Sequence, residues 1–290
     1  MSTTSYIPTV EAIKAASGVL EEILEPTPFQ KNQNLCDTYQ AEIYLKREDL
    51  QMVRSYKIRG AYNKIRSIDP EILKNGIVCA SAGNHAQGVA FSCSKLKIMG
   101  SIFMPVTTPK QKIEQVRMFG KEFIEIILTG DTFDAANSAA IEYAEENNKT
   151  FIPPFDDPKV MEGQGTIGRE ILNQCKEPLD YIFVPIGGGG LASGLGAYIS
   201  RMSPDTKIIG VEPGGAPCMK AAIENGGPIK LEHIDKFVDG AAVQLAGKHT
   251  YEVCRQVLDD IVIVPEGAVC TTIIHMYNKS AIVVEPAGAL

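Results

Sequence analysis

Short runs of apolar, mostly β-branched residues alternate along the chain with longer stretches whose apolar residues recur at helical spacing. The short runs predict strands at residues 77–80, 98–104, 123–128, 181–186, 207–211, 261–264 and 282–284. The longer stretches predict helices, for example at residues 84–96, 110–119 and 132–146. Several short runs are continuously apolar, which is typical of strands buried on both faces of a parallel sheet. The alternation predicts right-handed βαβ units and an open, doubly wound α/β fold.

The order of these elements also predicts two domains. Three strand–helix units form a block that ends before the Pro153-Pro154 break. We therefore predict a small domain at residues 51–150, inserted into a large domain formed by residues 1–50 and 151–290. Residues 285–290 resemble the first turn of a helix, with Pro286 at its start, and the sequence ends there. We expect the large domain to be incomplete at its C-terminal end.

Composition narrows the possible functions. Lys and Arg number 28 against 35 Asp and Glu, a net charge of −7, and no basic cluster suggests a nucleic-acid partner. The seven cysteines are scattered without a C-x-x-C pair, and no histidines form an H-E-x-x-H motif, so neither disulfides nor zinc is expected. No signal peptide and no apolar run of membrane-spanning length is present. We expect a cytoplasmic protein without a membrane partner.

Four consecutive glycines follow the apolar run 181–186 and precede a helical pattern. They are Gly187, Gly188, Gly189 and Gly190, and Leu191 comes next. Glycine permits positive φ values and the close approach of a ligand, and one glycine is usually enough for a turn without a ligand. The N–H groups and the helix dipole at such a turn favour an anion. The segment therefore predicts a phosphate-binding site.

A dinucleotide site is the alternative interpretation of this segment. Gly187, Gly189 and Ala192 fit a loose dinucleotide fingerprint, and Glu212 ends the next predicted strand, where a carboxylate binds a ribose hydroxyl. The segment lies late in the chain rather than on a first βαβ unit. A dinucleotide site also leaves the two motifs described next without a role.

The first of these motifs is Ser55-Tyr-Lys-Ile-Arg-Gly-Ala61. It places Lys57 in the expected first turn of a helix, close to Arg54 and Arg59. Cationic neighbours, the positive end of a helix and the loss of water all favour the neutral, nucleophilic amine of a lysine, as in enzymes that form Schiff bases. The alternative is a solvated lysine on a basic helix face.

The second motif is Ser81-Ala-Gly-Asn-His-Ala-Gln-Gly88, between the strand at 77–80 and the helix at 84–96. Its N–H groups favour an anion, but Ser81 and Asn84 are also suited to helix capping, so a ligand site and a structural turn both remain open. His85 alone is more typical of a structural histidine than of an acid or base. Together, a phosphate site, a nucleophilic lysine and a carboxylate-binding turn are what an amino acid linked to pyridoxal phosphate requires.

These residues give the chain a family resemblance. It resembles the threonine dehydratases (threonine ammonia-lyases) among the fold-type II pyridoxal-phosphate enzymes, especially the biosynthetic threonine deaminases. The resemblance covers essentially all of residues 1–290. Besides the three segments above, it rests on Glu25-Pro-Thr-Pro28, Leu45-Lys-Arg-Glu-Asp49 and Glu285-Pro-Ala-Gly288.

The resemblance implies a fold, a site and a reaction. The fold would be two open, mostly parallel, twisted sheet domains of the tryptophan synthase β-like architecture. Lys57 would carry the cofactor and remove the Cα proton, and Asn84 would bind the 3′-oxygen of the cofactor ring. The backbone of Gly187, Gly188, Gly189, Gly190 and Leu191 would hold the phosphate. The substrate carboxylate would bind at Ser81, Ala82, Gly83, Asn84 and His85.

The implied reaction converts L-threonine to 2-oxobutanoate and ammonia, a step towards isoleucine, with L-serine as a further substrate and a homodimer or homotetramer as the assembly. Serine racemases carry a second serine where this chain has Ala82, so we expect elimination without racemisation. Metal-binding relatives have a second acidic residue where this chain has Cys218, although Glu212 is present, so we expect no dedicated metal site. A family serine that contacts the pyridine nitrogen would lie beyond Leu290. A serine dehydratase or racemase of the same fold, and a non-catalytic fragment, remain the alternatives.

Overall fold

The alternating pattern becomes nine strands and twelve α-helices within residues 6–290, which the computed structural model describes. The strands are β1 (Phe29–Lys31), β2 (Tyr44–Lys46), β3 (Ile77–Ala80), β4 (Gly100–Met104), β5 (Ile124–Leu128), β6 (Thr150–Phe151), β7 (Tyr181–Pro185), β8 (Lys207–Pro213) and β9 (Asp260–Val264). The helices are α1 (Val10–Leu20), α2 (Gln33–Tyr39), α3 (Lys57–Arg66), α4 (Pro70–Leu73), α5 (Asn84–Leu96), α6 (Lys110–Gly120), α7 (Phe133–Glu146), α8 (Pro158–Gln174), α9 (Gly190–Met202), α10 (Cys218–Asn225), α11 (Lys248–Val257) and α12 (Glu266–Ser280). Short 3₁₀ turns lie at Glu48–Leu50, Lys121–Phe123 and Pro286–Ala289.

The chain divides into two compact units, each with its own sheet. The first comprises residues up to Ser17, Glu25–Leu50 and Phe155–Leu290, and the second comprises Gly18–Leu24 and Gln51–Pro154. The second unit contains a four-stranded parallel sheet in the order β5-β4-β3-β6. The first contains a three-stranded parallel sheet, β7-β8-β9, and a small antiparallel pair, β1-β2. The predicted α/β architecture with open, mostly parallel sheets is confirmed.

Burial differs between the two parallel sheets. Every residue of β3 and β4 is buried, as continuously apolar strands predict. In β7, buried and exposed residues alternate, and the rings of Tyr181 and Phe183 are 52% and 65% exposed. The expectation of burial on both faces is therefore wrong for β7, because within residues 6–290 one face of this strand is left open to solvent.

The local patterns placed every predicted strand and helix but one to within two residues of its observed bounds. The bounds of β3 and α5 equal the predicted ones. Residues 282–284 form no strand, since no other strand within residues 6–290 pairs with them and Val283 is 78% exposed. An apolar run forms a strand only when a neighbouring strand provides partners for its backbone N–H and C=O groups. The expected helix start at 285–290 is a 3₁₀ turn, Pro286–Ala289.

Candidate active site

The glycine turn joins β7 to α9 in the first unit. Gly189 is the N-cap of α9 and has a φ of 90°, which residues with a side chain rarely adopt. Packing adds a second requirement. A Cβ on Gly188 would lie 2.4 Å from ring atoms of Phe155, and a Cβ on Gly189 would lie 2.5 Å from the Cε of Met219. Both positions therefore require glycine.

The N–H groups of this turn remain available to a ligand. Within residues 6–290, none of the backbone N–H groups from Gly187 to Leu191 donates a hydrogen bond to another group of the protein. They lie at the start of α9, a 13-residue helix whose residues 190–199 are all buried. The helix dipole adds partial positive charge at this end. The predicted phosphate site therefore fits its residues, because a buried helix N-terminus with available N–H groups is suited to a phosphate.

Lys57 is the first residue of α3, in the second unit, and is partly exposed. Its Nζ lies 5.2 Å from the centroid of the Tyr56 ring. Seven of the ten residues of α3 are buried, among them Arg59 at 1% exposure, whereas Lys64 is partly exposed and Arg66 is exposed. The basic residues of α3 therefore do not form one continuous solvated face, but Lys57 itself is partly exposed and its role stays a prediction.

A close contact between α3 and α5 places the start of α3 against the first turns of α5. A Cβ on Gly88 would lie 3.0 Å from the Cα and N atoms of Ile58 and 3.2 Å from the carbonyl carbon of Lys57. Only a glycine allows this backbone approach without a shift of either helix. The sequence alone assigns Gly88 no role beyond membership of its motif, because the contacting residue Ile58 lies thirty residues earlier in the chain.

The turn from β3 to α5 is built differently from the capping expectation. The N-cap of α5 is Gly83, which has no side chain, and Asn84 is the first helical residue. The Ser81 hydroxyl accepts a hydrogen bond from the N–H of Gly83 at 3.2 Å. A Cβ on Gly83 would meet no atom within 4 Å, so open space adjoins the turn. The interpretation of Ser81 and Asn84 as N-caps is wrong, and the helix start has room for a carboxylate.

His85 is a structural residue of this turn. Its side chain is 4% exposed, and its Nε2 lies 2.9 Å from the carbonyl oxygen of Ile152. Burial lowers the pKa of His85 to about 4, the hydrogen bond to Ile152 opposes that change, and the charge of Lys57 adds to it. The ring is therefore neutral at pH 7, with its proton on Nε2, where it is donated to Ile152.

Glu212 does not have the freedom that a ribose ligand needs. It is fully buried at the end of β8. Its two carboxylate oxygens accept hydrogen bonds from the N–H groups of Met219 and Lys220, at 2.8 and 2.9 Å. The carboxylate therefore caps the N-terminus of α10, which argues against the dinucleotide interpretation.

The candidate residues fall into two sets, one in each unit. Lys57 and the turn of residues 81–85 belong to the second unit, where α3 and α5 meet. The turn of residues 187–191 belongs to the first unit, where Phe155 packs against it. Phe155 had no signal in the sequence, since its contact is specific to the three-dimensional structure. Taken separately, the second unit supplies an amine and a turn with open space beside it, and the first unit supplies a turn suited to a phosphate.

Comparison with known proteins gives the class to which this chain belongs. The family described as pyridoxal-phosphate dependent enzyme matches residues 20–290. The chain belongs to this family of pyridoxal-phosphate dependent enzymes, and the predicted cofactor class is confirmed.

Within the family, the chain is similar to threonine dehydratases. It is 57% identical over 281 residues to the biosynthetic L-threonine dehydratase IlvA of Halalkalibacterium halodurans and 54% identical over 286 residues to that of Bacillus subtilis. These matches cover 97% and 99% of this chain and 68% of each relative. The resemblance stated from the sequence motifs is thereby confirmed.

Solved structures show the same architecture. The processed form of threonine deaminase isoform 2 from Solanum lycopersicum superposes with a TM-score of 0.92 at 38% identity, covering 99% of this chain and 80% of that one. Maize serine racemase has a TM-score of 0.93 at 30% identity, covering 98% and 85%. Among the helices of residues 6–290, none has the length and apolar character needed to cross a membrane.

Proposed function

We propose that this chain uses pyridoxal phosphate to convert L-threonine to 2-oxobutanoate and ammonia, a step towards isoleucine. The observation that carries the proposal is the 57% identity over 281 residues to a biosynthetic L-threonine dehydratase. The reaction removes the Cα proton and the β-hydroxyl group of threonine as water. The enamine that remains takes up water and releases ammonia, so the overall change is the loss of ammonia from threonine.

We assign the central role to Lys57. Bound pyridoxal phosphate supplies an aldehyde that reacts with amines and a ring that stabilises negative charge at the substrate Cα. The amine of Lys57 holds the cofactor covalently and, once the substrate amine has displaced it, takes the proton from Cα. Its place at the first residue of α3 supports this role, since the helix is buried and keeps the side chain in one region.

The remaining residues bind and orient the cofactor and the substrate. The N–H groups from Gly187 to Leu191 hold the phosphate, and the side chain of Asn84 binds the 3′-oxygen of the ring. The substrate carboxylate binds at the turn formed by Ser81, Ala82, Gly83, Asn84 and His85. The open space at Gly83 and the helix N-terminus without a side-chain cap support this assignment. Neutral His85 anchors the turn through Ile152.

The methyl group of Ala82 determines the outcome at Cα. Racemisation needs a proton donor on the face of the substrate opposite Lys57, and an alanine side chain has no proton to exchange. We therefore propose elimination without racemisation, with L-serine as a further substrate. L-serine incubated with the enzyme should give pyruvate and no D-serine on chiral chromatography. The Ala82→Ser variant, which adds a hydroxyl at this position, is the matched comparison, and D-serine from the unchanged chain would refute the proposal.

The first experiment is reduction of the chain with borohydride in the presence of pyridoxal phosphate, followed by peptide mapping. A phosphopyridoxyl group on Lys57 is the expected result. Lys57→Arg, which keeps the positive charge, should abolish both the label and the formation of 2-oxobutanoate. The control is Lys64→Arg, the same change in the same helix, which should retain both.

Three outcomes would contradict the proposal. A label on another lysine, or no label with folded protein, would refute the assignment of Lys57. A label on Lys57 without 2-oxobutanoate from L-threonine would refute the substrate but not the cofactor, and L-serine would then be the amino acid to assay.

We also propose a cytoplasmic homo-oligomer, a dimer or tetramer, on the basis of the family resemblance. Light scattering coupled to size-exclusion chromatography measures its mass directly. A monomer of 31.4 kDa at micromolar concentration would refute this part of the proposal.

A further inference from the structure

The carbonyl groups of the glycine turn are all engaged by side chains of the same unit. Each of three consecutive carbonyl oxygens accepts a hydrogen bond from a buried donor: Cys218 Sγ to Gly187 at 3.4 Å, Thr250 Oγ1 to Gly188 at 2.6 Å, and Cys254 Sγ to Gly189 at 3.8 Å. The three donors come from α10 and α11, which the sequence analysis did not connect with the turn. They form a polar layer behind the turn.

All three donors are inaccessible to solvent and remain protonated. Cys218, Thr250 and Cys254 each have 0% exposure. Burial, together with the nearby Glu212 carboxylate, raises the pKa of Cys218 to about 12, and burial raises the pKa of Cys254 as well. Both thiols therefore stay protonated at physiological pH, and the single hydrogen of Cys218 is shared between the Gly187 carbonyl and the Glu212 carboxylate.

Peptide geometry connects this layer to the ligand side of the turn. In a trans peptide the C=O and N–H bonds point in opposite directions. When a carbonyl oxygen is hydrogen-bonded to the buried layer, the N–H group of the following residue points in the opposite direction, towards the ligand side of the turn. The three bonded carbonyls therefore orient the N–H groups of residues 188, 189 and 190. These are among the N–H groups that have no acceptor within residues 6–290.

We propose that Thr250 is a positioning residue for the cofactor phosphate, with Cys218 and Cys254 as weaker members of the same layer. This inference rests on the proposed function, because the phosphate is that of pyridoxal phosphate. Thr250 acts through the Gly188 carbonyl and does not touch the cofactor itself. Its single hydroxyl hydrogen goes to Gly188 at 2.6 Å rather than to Gly247 at 3.3 Å, since the shorter contact is the stronger hydrogen bond.

The position of Thr250 is itself held by a carboxylate. Asp156 accepts hydrogen bonds from the N–H groups of Lys248, His249 and Thr250, at 2.9, 2.8 and 3.1 Å. This arrangement caps the N-terminus of α11. A capped helix start has little freedom, so the hydroxyl of Thr250 is presented to the Gly188 carbonyl at a defined place.

The test compares two probes that differ only in the phosphate. The cofactor-free chain is titrated with pyridoxal phosphate and, separately, with pyridoxal, and the bound fraction is measured as the borohydride-reduced label on Lys57. Thr250→Val keeps the shape of the side chain and removes the donor. We expect it to weaken pyridoxal phosphate about tenfold, the effect of losing one buried hydrogen bond, and to leave pyridoxal unchanged.

Two further variants separate positioning from general stability. Thr250→Ser keeps the hydroxyl and should bind pyridoxal phosphate as the unchanged chain does. Thr271→Val removes a hydroxyl that bonds the Gly267 carbonyl on α12, and serves as the matched control with no effect expected on either probe. If Thr250→Val does not fold, Cys218→Ala tests the neighbouring carbonyl, with a smaller but still phosphate-specific loss expected.

The titrations distinguish failure of the positioning role of Thr250 from failure of the proposed function. Equal affinities of Thr250→Val and the unchanged chain for pyridoxal phosphate overturn the positioning role. Equal weakening of pyridoxal and pyridoxal phosphate also overturns it, because the effect is then on the fold or on Lys57. If the unchanged chain itself gives no label on Lys57, the proposed function fails instead.

Discussion

The crossing of α8 and α9 offers a sharp test of the packing, because the two helices approach each other through glycine. A Cβ on Gly194 would lie 2.1 Å from the carbonyl oxygen of Met161 and 2.7 Å from the N atom of Gly165. Both neighbours are backbone atoms of α8, so no side-chain rotamer can relieve the overlap. Gly194→Ala must therefore move one helix away from the other by about 1 Å to restore ordinary contact distances.

The free-energy cost follows from that shift. Overpacking of a tight core costs roughly 1–3 kcal/mol, and occasionally more. We expect the upper end, about 3 kcal/mol, since the contact is backbone to backbone along a buried helix. For a chain of this size, that corresponds to a fall of roughly 6–12 °C in the midpoint of thermal unfolding. Because α9 begins at the glycine turn, affinity for pyridoxal phosphate should fall as well.

Gly18→Ala is the matched control. Gly18 lies inside α1, and a Cβ there would meet no atom within 4 Å. The same substitution should stabilise the protein by about 0.5–1 kcal/mol, because alanine is the better helix former. Urea and thermal unfolding of the two variants measure both effects. A Gly194→Ala variant as stable as the unchanged chain would refute the close approach of α8 and α9.

Three further predictions concern the ionisable side chains of His85, Glu212 and Asp156. Burial lowers the pKa of His85 from 6.5 to about 4 in the folded chain, so the free energy of unfolding should fall by roughly 3 kcal/mol as the pH drops from 6.5 through 4. His85→Gln should flatten this part of the curve of unfolding free energy against pH. Burial raises the pKa of Glu212 to about 7, so its contribution to the free energy of unfolding is fully present below pH 4.5 and is lost as the pH rises through 7. Glu212→Gln should remove this decline. If the unfolding free energy of the variant falls with pH as steeply as that of the unchanged chain, the raised pKa of Glu212 is refuted. Asp156→Ala removes the cap of α11 and should lower the unfolding free energy by about 1–2 kcal/mol in urea titrations, whereas no loss would show that the three N–H bonds are weak.

The elements that could be predicted are those whose signal is local. β3 is a continuously apolar run and α5 follows a turn of small and polar residues, so both bounds were available from neighbouring residues alone. The glycine turn was equally clear, because four glycines in succession are unusual. Residues 282–284 carry the same apolar signal, yet no strand forms, since strand formation depends on a partner that the local pattern does not contain.

The parts of the site that escaped prediction depend on contacts between distant residues. Thr250 bonds a carbonyl 62 positions earlier, and Asp156 caps a helix that begins 92 positions later. Phe155 closes one side of the turn, although nothing around it in the sequence differs from an ordinary loop. Such residues have no characteristic spacing, so only the three-dimensional structure assigns them a role.

The distribution of carboxylates in the first unit indicates why α9 in particular is suited to an anion. Asp157 accepts hydrogen bonds from the N–H groups at the start of α8, Glu212 does so for α10, and Asp156 does so for α11. Each of these helices thus has its positive end satisfied by an acidic residue of the chain itself. The N-cap of α9 is Gly189, which has no side chain to donate or accept. A chain with a net charge of −7 can therefore still bind a phosphate at α9, because three of its carboxylates are engaged at other helix starts of this unit and none caps α9.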